Sequence, residues 1–500
     1  MYLTQGLHRS LQRHPAKTAL THLGGDGAQR QHAFAELVDS VARQAAALAA
    51  RGVNAGDRVA LLAPNDDHLV LALFACWWRG AVACPLNVRW TGPELGHALA
   101  DSAAALVLVD EALAERLPRC DIACITLPRF ADEASALAPL PDSRTGGDAM
   151  AALLYTGGTT GRAKGVVLTH ANLWSASVTR AAELPNPPDG VSLLVAPLFH
   201  VAGLGRLVGQ TLVGGGCVTM AHFRPEAVIA AIERHGIGDI MVVPTMLQSL
   251  LDEPTFAPER VQSLTRIAFG ASPMPPDLLD RALAAWPEAE FFQAYGLTET
   301  AGAVCINLPA NHRSAEARAA GRLNSVGRAG LGAEIIVADA DGHELPHGTV
   351  GEILCRGPMV TPGYWRNAEA TAAALQGGWL HTGDAGCMQA DGTLAVVDRL
   401  KDMIISGGEN VYSAEVEAAL RAHPAVAQAA VVGVPDVRWG EAVHAFVVLR
   451  EPASADTLRA WCRERLAGYK CPRAYAFVDE LPLSAAGKVL KNLLRQQAPA

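Results

Sequence analysis

The stretch MAALLYTGGTTGRAKGVVL, residues 150–168, decides how the rest of the chain is read. One apolar run, Met150 to Tyr155, leads into it, and a second, Val166 to Leu168, leads out. Between them stand Thr156, Gly157, Gly158, Thr159, Thr160 and Gly161, with Lys164 and Gly165 shortly after. Glycines let backbone N–H groups face an anion, three hydroxyls add donors, and the lysine adds charge, so the set suits a polyphosphate. It is not the GxxxxGK[ST] loop, because Ala163 stands where the second glycine belongs. A plain Gly/Thr turn needs neither three threonines nor a lysine.

Around this loop, strand and helix patterns alternate. Helical patterns cover Ala33 to Ala50, Asp66 to Trp78 and Glu226 to His235. Strand patterns cover Arg58 to Ala63, Ala104 to Val109, Ser192 to Ala196, Ile240 to Val243 and Arg266 to Phe269. Interleaving of this kind predicts parallel sheets of α/β type. The segment Ala131 to Gly147 reads as a surface connection. From about Val326, Gly and Pro rise and turn signals such as Asp341-Gly342 separate short β segments, predicting a small antiparallel or barrel-like unit. After Asp398 the pattern becomes α+β: helix Ser413 to Arg421, strands Val426 to Val432 and Val443 to Leu449, helix Ala455 to Leu466. The expected architecture is a large N-terminal domain of parallel α/β sheets over 1–398, with a β-barrel-like subdomain at about 326–398. A hinge at 399–402 and a small mobile α+β domain over 403–500 complete it.

Composition narrows the function classes. A chain of 500 residues exceeds one core and predicts two to four domains. Half of the residues are hydrophobic and 18% are charged, which excludes wholesale disorder. The 41 basic and 50 acidic side chains give −9 with no basic run, which argues against a nucleic-acid partner. The densest apolar stretch, Leu69 to Trp78, is too short to span a bilayer, and the N-terminus carries no secretory pattern. Ten scattered cysteines suggest neither a zinc site nor a disulfide framework, so a reduced, cytoplasmic setting is expected.

The loop YTGGTTGRAKG resembles the signature loop of the acyl-adenylate-forming enzymes, the acyl- and aryl-CoA ligases, peptide-synthetase adenylation domains and beetle luciferases. The family loop usually reads YTSGTTGxPKG, so Gly157 and Ala163 depart from it. Further motifs follow in family order. APLFH (196–200) resembles the segment whose histidine, here His200, lies beside the acyl carboxylate. GASP, beginning Gly270-Ala271-Ser272, resembles the turn that touches adenine and the acyl group. QAYGLTET resembles the family's adenylate motif, in which Gln293, Ala294 and Gly296 frame the site. There the resemblance gives Tyr295 the adenine stack, Thr298 the α-phosphate and Glu299 the Mg²⁺. A hard oxygen ligand suits that ion. Thr298 also reads as the N-cap of a following helix.

GWLHTGD resembles the ribose-binding segment, with Asp384 accepting from the diol and Arg399 touching ribose or phosphate. Lys401 falls at the family's hinge position. Gly407 and Gly408 resemble the loop that lines the pantetheine channel. LPLSAAGKV resembles the motif carrying the adenylation lysine, which maps onto Lys488. Trp439 resembles the position that stacks the CoA adenine in some aryl-CoA ligases, and Tyr469 falls where an aromatic does similar work. Cys471 occupies one slot for a CoA-phosphate cation, leaving Lys470 or Arg473 to supply the charge.

The resemblance implies a two-step ligase using ATP, Mg²⁺ and coenzyme A. A carboxylic acid is activated to acyl-AMP with loss of pyrophosphate. The C-terminal domain then turns about Lys401, and the acyl group passes to CoA. By the same analogy the acyl pocket is bounded by residues 200–206, 242–246, 269–272 and 295–304, mostly small or apolar. No basic residue precedes Tyr295, so a dicarboxylate is disfavoured unless Arg206 points inward. An aromatic or a medium to long alkyl tail fits. The alternatives are a freestanding enzyme loading a carrier protein, a luciferase-like oxygenase, and a nucleotide-binding protein without turnover. Members of the family vary in oligomeric state, and a homodimer is allowed.

Overall fold

The computed structural model describes residues 1–498 apart from 26, 157–161, 186, 188, 273 and 484–487. Their contacts cluster into two compact units, Met1–Glu334 with Cys355–Leu380, and Ile335–Leu354 with His381–Ala500.

The first unit contains two mixed sheets. Its strands begin with β1 (Thr18–Leu23) and β2 (Gln29–Ala33). Next come β3 (Arg58–Leu62), β4 (Val82–Pro85), β5 (Leu106–Val109), β6 (Cys124–Thr126), β7 (Met150–Thr156) and β8 (Lys164–Thr169). They continue with β9 (Val191–Leu194), β10 (Gly216–Met220), β11 (Asp239–Val242), β12 (Arg266–Gly270), β13 (Glu290–Leu297), β14 (Gly302–Asn307) and β15 (Arg328–Ala329). The smaller sheet has the order β6-β5-β3-β4-β7-β8, and the larger β2-β1-β10-β9-β11-β12-β13-β14-β15. Both share one design. The inner strands are parallel, as the alternating patterns predict, and the chain doubles back into an antiparallel edge, β8 after β7 and β14 after β13. The parallel strands are largely apolar because both faces are covered: Leu106–Val109 is buried throughout, and Arg58–Leu62 is buried after its first residue. One continuous core, including Leu20, Leu61, Phe74, Leu108, Leu154 and Leu194, runs between the sheets.

Local signals set the helices between these strands. The helix Asp67–Arg79 starts where Asp66 accepts the Leu69 N–H (2.7 Å) and stops at Gly80, whose φ of 79° an L side chain rarely adopts. Its indole Trp77 donates to Ala151 O (2.9 Å), tying it to β7.

The next strands are β16 (Glu334–Ala338), β17 (Val350–Arg356), β18 (Leu375–Gln376), β19 (Trp379–Met388) and β20 (Leu394–Arg399), which form a five-stranded sheet. The last are β21 (Ile404–Ser406), β22 (Glu409–Val411), β23 (Val426–Asp436), β24 (Gly440–Leu449) and β25 (Ala474–Phe477). They form a second five-stranded sheet against the helices Ser413–Arg421 and Ala455–Arg463. Among the described residues no helix is long and apolar enough to cross a membrane.

Three expectations need correction. The connection expected over Ala131 to Gly147 begins inside a helix, Leu127–Ser135, whose Pro128 sits where proline suits a first turn. Thr298 does not cap an α-helix. Residues Thr298–Thr300 form a single 3₁₀ turn, and Ala301 (φ 51°) and Gly302 (φ 116°) swing the chain back into β14. The helix expected to reach Leu466 ends at Arg463.

Candidate active site

In the first unit most of the described candidate residues lie at or just past the carboxyl ends of β7, β9, β12 and β13, the end at which open α/β sheets bind their ligands. Thr156 ends β7 and pairs with Lys164, the first residue of β8. The phosphate loop is therefore the connection of a β-hairpin; Gly157, Gly158, Thr159, Thr160 and Gly161 lie outside the described residues. The loop leading to His200 follows β9. Gly270 ends β12, and Ala271 beyond it takes a left-handed φ of 67°, which costs a non-glycine residue about 1 kcal/mol or more. Ser272 follows, and Pro273 lies outside the described residues. Gln293, Ala294, Tyr295 and Gly296 lie on β13, with Thr298 and Glu299 on the turn after it.

These pieces are held by side chains that motif reading did not single out. Thr300, fully buried, accepts from Leu297 N–H (2.8 Å) and donates to Gly302 O (2.6 Å), which closes the turn carrying Thr298 and Glu299. Asn65 holds the loop before His200. Its amide donates to Leu194 O (3.0 Å) and Ala196 O (2.9 Å), and its oxygen accepts Leu198 N–H (2.9 Å). Beside it, burial pushes the Asp66 carboxyl up to about 7. Asn65→Ala leaves two carbonyls and one N–H buried without these partners, at about 1–3 kcal/mol each. The expected result is a loss of roughly 10-fold or more in kcat/KM for the acid, against a smaller change in KM for ATP, measured by pyrophosphate release.

Glu299 is fixed at both ends. Its carbonyl accepts the Thr361 N–H (2.7 Å), and its carboxylate Oε1 accepts the Tyr364 hydroxyl (2.8 Å). Burial, with the adjacent Glu299 charge, raises the Tyr364 phenol above its ordinary range, so the hydroxyl remains a donor at neutral pH. The donor set suits Mg²⁺: a carboxylate with one oxygen held by Tyr364 and the other a hard ligand. The Lys164 ammonium lies 5.3 Å from the Tyr364 ring centre.

Arg206, on whose direction the expectation about a dicarboxylate turned, is buried and ion-paired with Asp239, and its Nε donates to Ser192 Oγ (3.1 Å). Its guanidinium is thus committed to groups on β9 and β11. Small or apolar residues such as Leu204, Ala301 and Val304 occupy the pocket segments and are buried.

In the second unit Asp384 and Arg399 are register partners across β19 and β20, and their side chains form an ion pair of 2.6 Å. Lys401 lies in the short turn Leu400–Asp402, and burial lowers its ammonium pKa. Gly407 and Gly408 are the two turn residues between β21 and β22, both with positive φ (64° and 84°), as a tight hairpin requires. A Cβ on Gly407 would stand 2.9 Å from Trp439 Cε3, so the indole rests on a bare glycine. Arg473 and Arg438 lie over that indole, at 4.2 Å and 4.9 Å from the ring centre. Lys470 is paired with Glu415 (2.8 Å to both oxygens), and Cys471 is buried. Of the cations read for a CoA phosphate, Arg473 therefore stands at the tryptophan. Tyr469 is partly exposed, and Lys488 is exposed just before the bridge between Leu483 and Val489. Ser484 to Gly487 lie outside the described residues.

Comparison with known proteins gives the family. The model of the AMP-binding enzyme family matches residues 7–365, and that of the AMP-binding enzyme C-terminal domain matches residues 415–488. The chain is 42% identical to a feruloyl-CoA synthase from Amycolatopsis over 491 residues, 97% of this chain and 96% of that one. It is similar to the structure of o-succinylbenzoate CoA synthetase from Bacillus subtilis in complex with its acyl-adenylate intermediate, at 36% identity and TM-score 0.89, covering 98% and 97% of the two chains. The same enzyme in complex with ATP and magnesium ion matches at 35% identity and TM-score 0.87, covering 98% and 99%.

Proposed function

The chain belongs to the AMP-binding enzyme family, and from that premise we propose that it is an ATP-dependent acid–CoA ligase acting on an aromatic monocarboxylic acid. A carboxylate oxygen attacks the α-phosphorus of ATP, and pyrophosphate leaves. CoA thiolate then attacks the acyl-adenylate carbonyl, and AMP leaves. In the first step Thr298 and the loop from Thr156 to Lys164 hold phosphate oxygens, Lys488 meets the charge developing there, and His200 sits beside the carboxylate. Glu299 would hold Mg²⁺, which when bound neutralises phosphate charge. Most of the catalysis is positioning and electrostatics. Asp384 and Arg399 take the ribose. Gly407, Gly408, Trp439 and Arg473 serve the CoA step, with the hinge at 399–402 as the pivot.

The observation that carries the acid class is the engagement of Arg206 with Asp239 and Ser192, which leaves that cation facing away from a second substrate charge. The similarity to a feruloyl-CoA synthase supports an aromatic tail over an alkyl one. The reducing, cytoplasmic setting belongs to the same reading and is supported by ten free cysteines.

A panel of ferulate, 4-coumarate, benzoate, 2-succinylbenzoate and octanoate in a pyrophosphate-release assay tests this. Hydroxycinnamates should exceed 2-succinylbenzoate in kcat/KM by roughly 10²-fold, since an unpaired buried carboxylate costs about 3 kcal/mol. Preference for 2-succinylbenzoate or octanoate would refute the acid class. Replacing CoA by a phosphopantetheinyl carrier protein in the second step tests the acceptor.

A further inference from the structure

We infer that Tyr364 is a positioning residue for the metal-binding carboxylate. It holds Oε1 of Glu299, leaves Oε2 to the ion, and covers the ammonium of Lys164 with its ring. The inference rests on the reading of Glu299 as the Mg²⁺ ligand.

The segment from 358 to 365 is stitched beside β8, the strand that leaves the phosphate loop. Gly363 O accepts from Val167 N–H (3.0 Å), Trp365 N–H donates to Gly165 O (2.7 Å), and Tyr364 itself bridges Val166. The Thr361 hydroxyl lies within hydrogen-bonding distance of Val167 O (2.5 Å). Upstream, the buried Asn172 amide donates to Pro358 O (2.9 Å) and Val360 O (2.8 Å). Downstream, Thr371 Oγ1 accepts the Tyr364 N–H (2.9 Å). Gly363 has no room for a side chain: a Cβ would stand 2.4 Å from Thr371 Cγ2.

Tyr364 is thus backbone-fixed at the place where the phosphate-loop strand and the Glu299 turn come together. A carboxylate gripped at one oxygen by a charge-assisted bond, with its own carbonyl held by Thr361, keeps one rotamer and needs no reordering when an ion arrives. Phenylalanine would keep the ring over Lys164 and lose only this grip.

The test measures how far Mg²⁺ tightens binding of a non-hydrolysable ATP analogue. Calorimetric Kd values with and without the ion are compared for wild type, Tyr364→Phe and Glu299→Gln. For Tyr364→Phe the metal-dependent gain should shrink roughly 10-fold or more, with metal-free affinity and Tm near wild type. Saturating Mn²⁺ should restore its rate of pyrophosphate release. A gain unchanged in Tyr364→Phe but lost in Glu299→Gln overturns the role of Tyr364 alone. A gain retained in Glu299→Gln overturns the metal reading beneath it. Equal losses of metal-free and metal-bound affinity in Tyr364→Phe would make the residue merely structural, and overturn the inference too.

Discussion

Lys488→Ala is expected to lower acid-dependent ATP–pyrophosphate exchange by roughly 10²–10³-fold, the usual consequence of removing one charge-stabilising donor. Thioester formation from supplied acyl-AMP should stay within a few-fold of wild type. The split follows because Lys488 is assigned to the first half-reaction, where negative charge moves onto phosphate oxygens, while the second is given to Gly407, Gly408 and Trp439. The fold should tolerate the change. Lys488 is exposed, and the chain beyond it is anchored within its own unit. Lys491 pairs with Glu417 (2.7 Å) and donates to Ser413 Oγ (2.5 Å), and Arg495 pairs with Asp402 (2.7 Å). An unchanged melting temperature with exchange lost and thioester formation kept is the supporting result. Loss of both half-reactions would remove Lys488 from its assigned role.

Gly296→Ala should be the most damaging single methyl in the first unit's site. Its Cβ would stand 1.8 Å from Gly302 O and 3.0 Å from Ala303 Cα, which are backbone atoms of the paired strand and cannot turn aside. The two strands must part at the register shift between Tyr295 and Gly296, displacing Tyr295 on one side and the Thr298–Glu299 turn on the other. Overpacking costs about 1–3 kcal/mol, and a shift near 1 Å at the reacting groups costs roughly 10²-fold in rate. Melting temperature and exchange activity should both fall. Gly205→Ala is the internal control for melting temperature. Its nearest foreign atom, Ala301 O, would be 3.7 Å away, an ordinary contact, and a helix-interior Gly→Ala change is worth about 0.5–1 kcal/mol in favour of alanine. If Gly296→Ala melts and exchanges like wild type, the close approach of β13 and β14 is not what holds the turn.

Much of this architecture could be read from local signals. The helix expected from Asp66 to Trp78 is found at Asp67–Arg79, and apolar runs such as Leu106–Val109 marked buried parallel strands. The motifs named residues that the structure sets at strand ends, and it pairs Asp384 with Arg399 across two neighbouring strands. What stayed hidden depends on distance along the chain. Asn65 acts on a loop about 130 residues away, and Tyr364 meets Glu299 across 65. No periodicity or spacing reveals such a meeting. The doubling back after the phosphate loop was hidden for another reason: a short apolar run such as Val166 to Leu168 reads the same in a parallel and an antiparallel strand. The misread N-cap at Thr298 came from a true preference overridden by the positive φ angles at Ala301 and Gly302.

The common placement of the recognition segments beyond β9, β12 and β13 has an evolutionary consequence. Those strands carry their load in the apolar interior, whereas the residues proposed to greet the acid, such as Val201, Ala271 and Val304, follow after each strand or sit on the returning one. On that reading, a change of acid preference would need substitutions at only a handful of tips, leaving the apolar frame beneath them as it stands.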